Sequence, residues 1–403
     1  MPAAAQPRPV STVGSPPAPI AEGDLAALFP WDRSYVFLNH GSFGSMPHEV
    51  RAAQDRWRAE IEARPIEMLG RRIGELLEPA RTAVAGFVGT DAKRLGFVVN
   101  ATDGINAVLR SLSWQRGDEI VVLDHVYNAM RQSVRRLGDE FGVVMREVSV
   151  PLPVKGPEDF VHATVAAFGP RTRMVLIDHI TSPTALVVPV ARIVQEARTR
   201  GIYTLVDGAH APGSIELSVD AIGADAYTAN LHKWCCAPKG CAFLSVAAAV
   251  ADSTHALATS HPYREGFVRE FEWQGTRDMT PWLTAPAALS LFARFGWPRV
   301  REHNHAMATW TQAFLSEQWG TELLSPRDGS MLASMAPIAV PEAVQRRFEG
   351  VAALQAHLYE HDRIELPVID WHGRWHVRVS CHLHTAPWMV ERLCEAVRTL
   401  ARG

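Results

Sequence analysis

At 403 residues, 47% of them hydrophobic, the chain is long enough for two domains or for one large and one small. A formal net charge of −3 argues against a polyelectrolyte partner such as nucleic acid, and no apolar run approaches the roughly eighteen residues that suggest a membrane span. Five cysteines in this length make no disulfide framework and fit a reducing cytoplasm.

Residues 1–20, rich in Ala, Pro and Ser and lacking an apolar signal core, read as a disordered tail. They precede a large segment, 21–285, and a smaller C-terminal one, 286–403. From Gly96 to Ser245 short apolar runs alternate with helix-length stretches. Gly96–Val99 is the first expected strand, followed by Asn100-Ala-Thr102 and an amphipathic helix over Ile105–Leu112. Further strands are expected at Glu119–Leu123, Arg173–Ile177, Tyr203–Val206, Asp225–Thr228 and Cys241–Ser245, with a helix over Val190–Arg200. Continuous apolar strands separated by helices mark an α/β fold with a mostly parallel sheet buried on both faces. Such sheets bind ligands beyond the carboxyl ends of their strands. Asn100, Asp124, His179, Asp207 and Lys233 fall at or just after strand ends and are expected to converge on one crevice.

The texture changes near Ala285. Helices over Ala288–Phe295, His303–Glu317 and Val340–His361 precede strands around Ile364–Val368 and Trp375–Leu383, which reads as a small α+β domain. In the last strand Trp375, Val377, Val379, Cys381 and Leu383 alternate with His376, Arg378, Ser380, His382 and His384. One face is therefore apolar, and the other carries an arginine and three histidines.

Only four of the 40 basic residues are lysines: Lys93, Lys155, Lys233 and Lys239. Arginine forms no Schiff base, so Lys233, in Asn230-Leu-His-Lys-Trp234 after an apparent buried strand, stands out. Upstream, Leu205-Val-Asp-Gly-Ala-His-Ala-Pro-Gly213 ends an apolar strand in Asp207 and sets His210 three residues later. An Asp to pair a pyridinium nitrogen, a His to hydrogen-bond a phenolic oxygen and a Lys to link the aldehyde are what a pyridoxal phosphate (PLP) site needs. Asp207 alone would serve equally as a helix cap; its company with His210 and Lys233 favours the cofactor.

Taken in order, Phe37-Leu-Asn-His-Gly-Ser-Phe-Gly44, Asn100-Ala-Thr-Asp-Gly-Ile-Asn-Ala107, Val206-Asp-Gly-Ala-His-Ala-Pro-Gly213, His232-Lys-Trp234 and Glu272-Trp-Gln-Gly-Thr-Arg-Asp278 resemble the aminotransferase class V group of fold-type-I PLP enzymes. Within it the isopenicillin N epimerase-like branch is the nearest likeness, over roughly residues 30–395. The resemblance implies a large PLP-binding domain with a small C-terminal α+β domain. It implies that Asp207 holds the ring nitrogen protonated, His210 contacts the phenolic oxygen and Lys233 carries the cofactor. Ala101 and Thr102 would bind the phosphate at a helix N-terminus, a placement that physics favours independently. Asn230 and His232 would complete the phosphate cup, and Thr276 would reach it from the second subunit of a homodimer. Tyr127 would stack on the ring, and Ser182 stands where desulfurases have Asn. Arg378 would clamp a substrate carboxylate bidentately. Asn39, His40 and Ser42 would line the substrate entrance.

A PLP enzyme acting on an amino acid loosens one bond at Cα, and the geometry of the bound substrate chooses which. A persulfide-forming desulfurase needs a mobile nucleophilic Cys, and Ser325-Pro-Arg-Asp-Gly-Ser-Met331 and its neighbours carry none. A C–S β-lyase acting on a cysteine S-conjugate in thiol or antibiotic metabolism is the favoured expectation. Amino-acid epimerisation comes next, and decarboxylation-linked oxidative deamination of such a conjugate is a further branch. Arg378-Val-Ser380 matches the epimerase branch, but the residues after it depart from that branch's His-Phe-Tyr-Asn run. A regulator or scaffold would show a basic DNA-binding extension or lack Lys233, and this chain does neither. No Gly-x-Gly-x-x-Gly follows the first strand, which counts against a dinucleotide oxidoreductase. His382 and His384 lack further ligands at recognisable spacing, so no metal is expected.

Overall fold

The structure, a computed structural model, describes residues 13–402. Its centre is a seven-stranded sheet built from β2 (Leu95–Val98), β3 (Glu119–Leu123), β4 (Val144–Val148), β5 (Thr172–Asp178), β6 (Tyr203–Asp207), β7 (Ala226–Asn230) and β8 (Ala242–Val246), in the order β2-β8-β7-β6-β5-β3-β4. Pairing is parallel throughout except at β8, which runs against both β7 and β2. All strands but β8 therefore end on the same edge of the sheet.

Why these runs are strands is visible in their burial. Val121, Leu123, Val175, Ile177 and Val206 pack into one apolar cluster, while the alternate residues Ile120, Val122, Met174, Leu176 and Leu205 pack into another. Covering both faces removes the polar alternation of a one-sided strand. Each such side chain contributes about 1.5–3 kcal/mol when fully buried. The edge strand β4 is missing from the sequence reading, because Val-Met-Arg-Glu-Val is half exposed and carries two charges. The expected strands at Arg173, Tyr203 and Asp225 extend instead to Asp178, Asp207 and Asn230, which brings three polar side chains to the sheet edge.

A second, antiparallel sheet has the order β11-β12-β9, with β9 at Met335–Ala339, β11 at Val368–Trp371 and β12 at Arg374–Ser380. Strand β9 was not anticipated. The single helix expected over Val340–His361 is two, Glu342–Gln345 and Val351–Glu360, separated by extended backbone at Gly350. The last strand stops at Ser380 rather than Leu383, and His382 donates its backbone N–H to Thr385 Oγ1 in a turn. The expected polar face is itself buried: His376, Arg378 and Ser380 are all enclosed.

A short parallel pair joins β1 (Val36–Phe37) to β10 (Ile364–Glu365). It is extended by Leu38 N–H to Glu365 O at 3.0 Å, Ser380 N–H to Leu38 O at 2.9 Å and Gly41 N–H to Ser380 Oγ at 3.0 Å. These bonds lay the segment 36–44 across the end of β12. Of the stretch read as a tail, residues 1–12 lie outside the described residues. Residues 13–20 run beside the helix Trp297–Trp319, where Gly14 O accepts from Trp310 Nε1 at 3.1 Å.

Candidate active site

Beyond the carboxyl ends of β5, β6 and β7 lies a cavity of about 340 Å³. Among the residues anticipated from sequence, Ser42, Ala101, Thr102, Tyr127, Ser182, Asp207, His210, Asn230, His232 and Lys233 line it. Ends of parallel strands are where an α/β sheet leaves such a crevice.

One end of the cavity is the N-terminus of the helix Ala101–Ser111. Asn100 caps it, its side chain accepting from Asp103 N–H at 2.8 Å, and Asn230 Oδ1 accepts from Ala101 N–H at 2.9 Å. Thr102 is left to present its N–H and hydroxyl to the cavity, beside the helix dipole's positive end. The helix approaches β7 closely because residue 104 is glycine: a Cβ there would lie 2.9 Å from Thr228 Cβ. His232 stands alongside, its Nδ1 donating to Cys241 O at 3.1 Å. Burial, then the neighbouring Lys233 charge, holds its pKa down near 4, so the ring is neutral.

At the other end Asp178 and Asp207 are in register on adjacent strands. Asp207 Oδ1 accepts from Ala209 N–H at 2.9 Å. Between the two ends, Lys233 Nζ lies 3.1 Å from His210 Nε2. Trp234 Nε1–H donates to His210 Nδ1 at 3.4 Å, which places the imidazole hydrogen on Nε2. Burial, reinforced by Lys233, pushes the His210 pKa well below its ordinary range. Burial first, and Arg378 second, lowers the Lys233 pKa to about 7, against the opposing pull of Asp207 and Asp178. At neutral pH much of this amine is unprotonated and nucleophilic.

Arg378 is buried with no carboxylate partner among the described residues. It donates to Ser182 O at 2.6 Å, to Ser182 Oγ at 3.2 Å and to Ser42 Oγ at 3.0 Å, and its Nε has no partner. A buried guanidinium held only by neutral oxygens is an anion receptor, since an uncompensated buried charge is costly. Burial lowers its pKa to about 10, still fully charged at neutral pH. Ser42 is fixed in turn by donating to Asn39 Oδ1 at 2.5 Å, and Asn39 Nδ2 donates to Glu365 Oε1 at 2.8 Å. Asn39 thus stands behind Ser42 and does not itself line the cavity.

His40 does not line it either. Its Nε2 lies 3.1 Å from Lys233 O, and its ring packs with His382 at 4.4 Å between centroids. His382 Nε2 approaches Trp234 O at 3.4 Å, and His384 Nε2 lies 3.3 Å from His40 Nδ1. Burial, above all, lowers the pKa of all three histidines, so they are neutral; His40 and His382 hold the carbonyls of Lys233 and Trp234, and His384 backs His40. His40, Cys236 and His382 also bring three ligand-type atoms within 4.8 Å, a juxtaposition that inspection of His382-x-His384 alone could not find. The short helix His40–Phe43 ends at Gly44 with φ +65°, and a Cβ there would lie 2.9 Å from Lys233 Cα, with the His232 carbonyl nearer still. Gly44→Ala is accordingly expected to destabilise the fold by about 1–3 kcal/mol, readable as a lower Tm, because backbone cannot yield as a side chain does.

Thr276 is exposed on the loop after the helix Phe267–Glu272 and is not part of this cavity. Asp124 and His179, expected to converge here, point elsewhere. Asp124 accepts from Ser149 Oγ and Val150 N–H, and His179 Nδ1 pairs with Tyr227 OH at 2.9 Å. Conversely, Asp178 and Lys239 line the cavity and were not anticipated. Asp178 carries the same signal as Asp207, an acid directly after an apolar strand. Lys239 donates to Gly44 O at 3.0 Å.

The family model for aminotransferase class-V matches residues 45–351. The chain belongs to the aminotransferase class-V family. Among its class-V relatives, an isopenicillin N epimerase from Amycolatopsis lactamdurans is 34% identical, over 92% of this chain and 96% of its own. A probable chloroplastic L-cysteine desulfhydrase from Arabidopsis thaliana is 30% identical over 92% of this chain and 84% of its own. Among solved structures, the cystine C–S lyase C-DES in complex with its product cysteine persulfide superposes with a TM-score of 0.76 at 22% identity, covering 93% of this chain and 99% of the other. A Lys-to-Ala variant of C-DES holds glycine covalently linked to its PLP cofactor. The class-V fold is thereby established for the α/β architecture described above.

Proposed function

We propose that this class-V enzyme is a PLP-dependent C–S β-lyase that cleaves a cysteine S-conjugate. The cavity fits the cofactor chemically: anion-binding backbone at one end, paired carboxyls at the other and a nucleophilic amine between. Thr102 and the side-chain amide nitrogen of Asn230 would hold the phosphate, with Ala101 fixing Asn230 and His232 standing alongside, Asp207 the ring nitrogen, His210 the phenolic oxygen and Lys233 the aldehyde carbon. Once bound, PLP supplies an electron sink that acidifies the Cα–H of an attached amino acid.

The chain's own residues do the rest. Arg378 receives the substrate carboxylate, with Ser42 and Ser182 holding the guanidinium in place. Lys233, unprotonated near neutral pH, takes the Cα proton. The thiolate then leaves from Cβ and needs no acid, being stable at pH 7 once its pKa lies near ordinary thiol values.

The observation that carries elimination over epimerisation is the commitment of the other groups. His210 is held by Trp234, His232 by Cys241 O and Asp207 by Ala209, which leaves Lys233, bonded at its amine to His210 Nε2, as the base of this set. Elimination needs one base, whereas inversion needs an acid and a base on opposite faces. All five cysteines are buried, and burial drives the thiol pKa of each upward, which supports release of the sulfur rather than its capture as an enzyme persulfide.

Tyr127 favours the second reading. Its side chain lines the cavity, is 45% exposed and lies within electrostatic reach of Arg378, where a phenol would supply the second acid that inversion requires. Purified protein supplied with PLP and a cysteine S-conjugate is expected to yield pyruvate and free thiol in equal amounts. Recovery of the conjugate as a mixture of enantiomers without pyruvate would establish the epimerase instead. We further propose a homodimer in which Thr276 of one protomer approaches the phosphate site of the other, to be checked by sedimentation.

A further inference from the structure

Asp178 is a carboxyl without an assigned task. It ends β5, lines the cavity and is 4% exposed, yet its Oδ2 has no hydrogen-bond partner. Its other contact is the backbone N–H of Tyr127, the residue that starts the helix Asn128–Phe141 and overhangs the cavity. The strand register puts Asp207 beside it on β6. The charged groups that face it are Asp207, Lys233 from the loop after β7 and Arg131 from the helix after Tyr127, and neither cation forms an ion pair with it.

We propose that Asp178 is a positioning residue of the cofactor site, held as a neutral carboxylic acid beside the Asp207 carboxylate, where it anchors Tyr127 and offers its spare O–H to the group that fills the cavity. Two adjacent carboxylates in a buried pocket cannot both ionise without a cation between them. Each carboxyl accepts one backbone N–H, Asp178 from Tyr127 and Asp207 from Ala209, but Asp178 alone keeps a buried oxygen with no donor, and so the proton resides on Asp178. Burial first, then Asp207, raises the Asp178 pKa well above 3.8, in agreement with this assignment. A neutral acid keeps the negative charge of the pair at one and directs it to Asp207. It also gives the site a donor, which an ionised Asp178 would lack.

The assignment deepens the PLP reading but is decided partly without cofactor. Infrared difference spectra of the full-length cofactor-free protein at neutral pH, wild type minus Asp178→Asn, should show the C=O stretch of a protonated carboxylic acid. The unfolded chain releases this proton near 3.8, the folded chain only at higher pH. Wild type should therefore lose stability as pH rises above 3.8, up to the folded pKa, and Asp178→Asn should not, so their Tm difference widens across that window. In PLP titrations followed by absorbance, Asp178→Asn should bind within about threefold of wild type, because the amide also donates and accepts. Asp178→Ala should bind about tenfold or more weakly. A spectrum with no acid band, or an asparagine variant as defective in PLP binding as the alanine one, would overturn the proposal. If wild type itself takes up no PLP, the cofactor reading fails, and the infrared and pH–stability arms still decide the state of Asp178.

Discussion

Lys233→Ala is expected to abolish both covalent PLP attachment and turnover, with kcat lower by at least ~10³-fold, because one side chain supplies the nucleophile and the general base. The rate measured by pyruvate release should fall while PLP still binds at its phosphate end, since Thr102, Ala101 and Asn230 are untouched. In wild type, borohydride trapping of an added aldehyde should reach half its maximal rate near pH 7, where the buried amine titrates, rather than above pH 10 as for a solvated lysine. The sign for stability comes from the same shift. Between about 7 and 10.5 the unfolded chain binds a proton that the folded chain does not, so the cofactor-free protein gains stability from Lys233 as pH rises through that window. Lys233→Met should flatten that gain in pH-dependent thermal melts. Unchanged turnover in the alanine variant would remove Lys233 from the chemistry.

Arg378→Met separates function from stability. Without the guanidinium the substrate carboxylate loses a desolvated, charge-assisted contact worth about 2–4 kcal/mol, so kcat/KM should fall by ~30- to 1,000-fold. Thermal stability should change by less than about 1 kcal/mol, since relief from a buried unpaired cation offsets the hydrogen bonds lost at Ser182 and Ser42. A third readout tests the electrostatics directly. Arg378 is one of the causes that lower the Lys233 pKa, so its removal should move the half-point of aldehyde trapping to higher pH. Loss of stability matching the loss of activity would mark Arg378 as a structural residue instead.

Several site residues were legible because they are local events at strand ends. A strand buried on both faces shows as a continuous apolar run, and the first polar residue after it must sit at the sheet edge; Asp207 and Asn100 are read in that way. Lys233 stood out by scarcity. The same rule applies to Asp178, which comes directly after Ile177; the histidine that follows it, His179, pairs instead with Tyr227 OH. His40 illustrates the opposite case. Its neighbours Ser42 and Gly41 face Arg378 and Ser380, yet its own ring belongs to a cluster with His382 and His384, contacts made across more than 300 residues of chain. No spacing rule encodes such a meeting.

The amino-acid sequence by itself determined the α/β class, the positions of most of the central strands and the presence of an amine, an acid and a histidine suited to one cofactor. Those are consequences of side-chain periodicity and of the first polar residues beyond a buried strand, both set within a short stretch of chain. Tertiary structure decided which groups are charged. Lys233 is a weak base and Asp178 a protonated acid because the sheet edge, the segment 36–44 and β12 enclose them together and exclude water. It also decided that Arg378 would be left without a counter-ion, since the pairing of β12 with β9 and β11 places it beside Ser182 and Ser42 rather than beside an acid. Charge in a buried site depends on desolvation and neighbours, which distant parts of the chain supply only when folded.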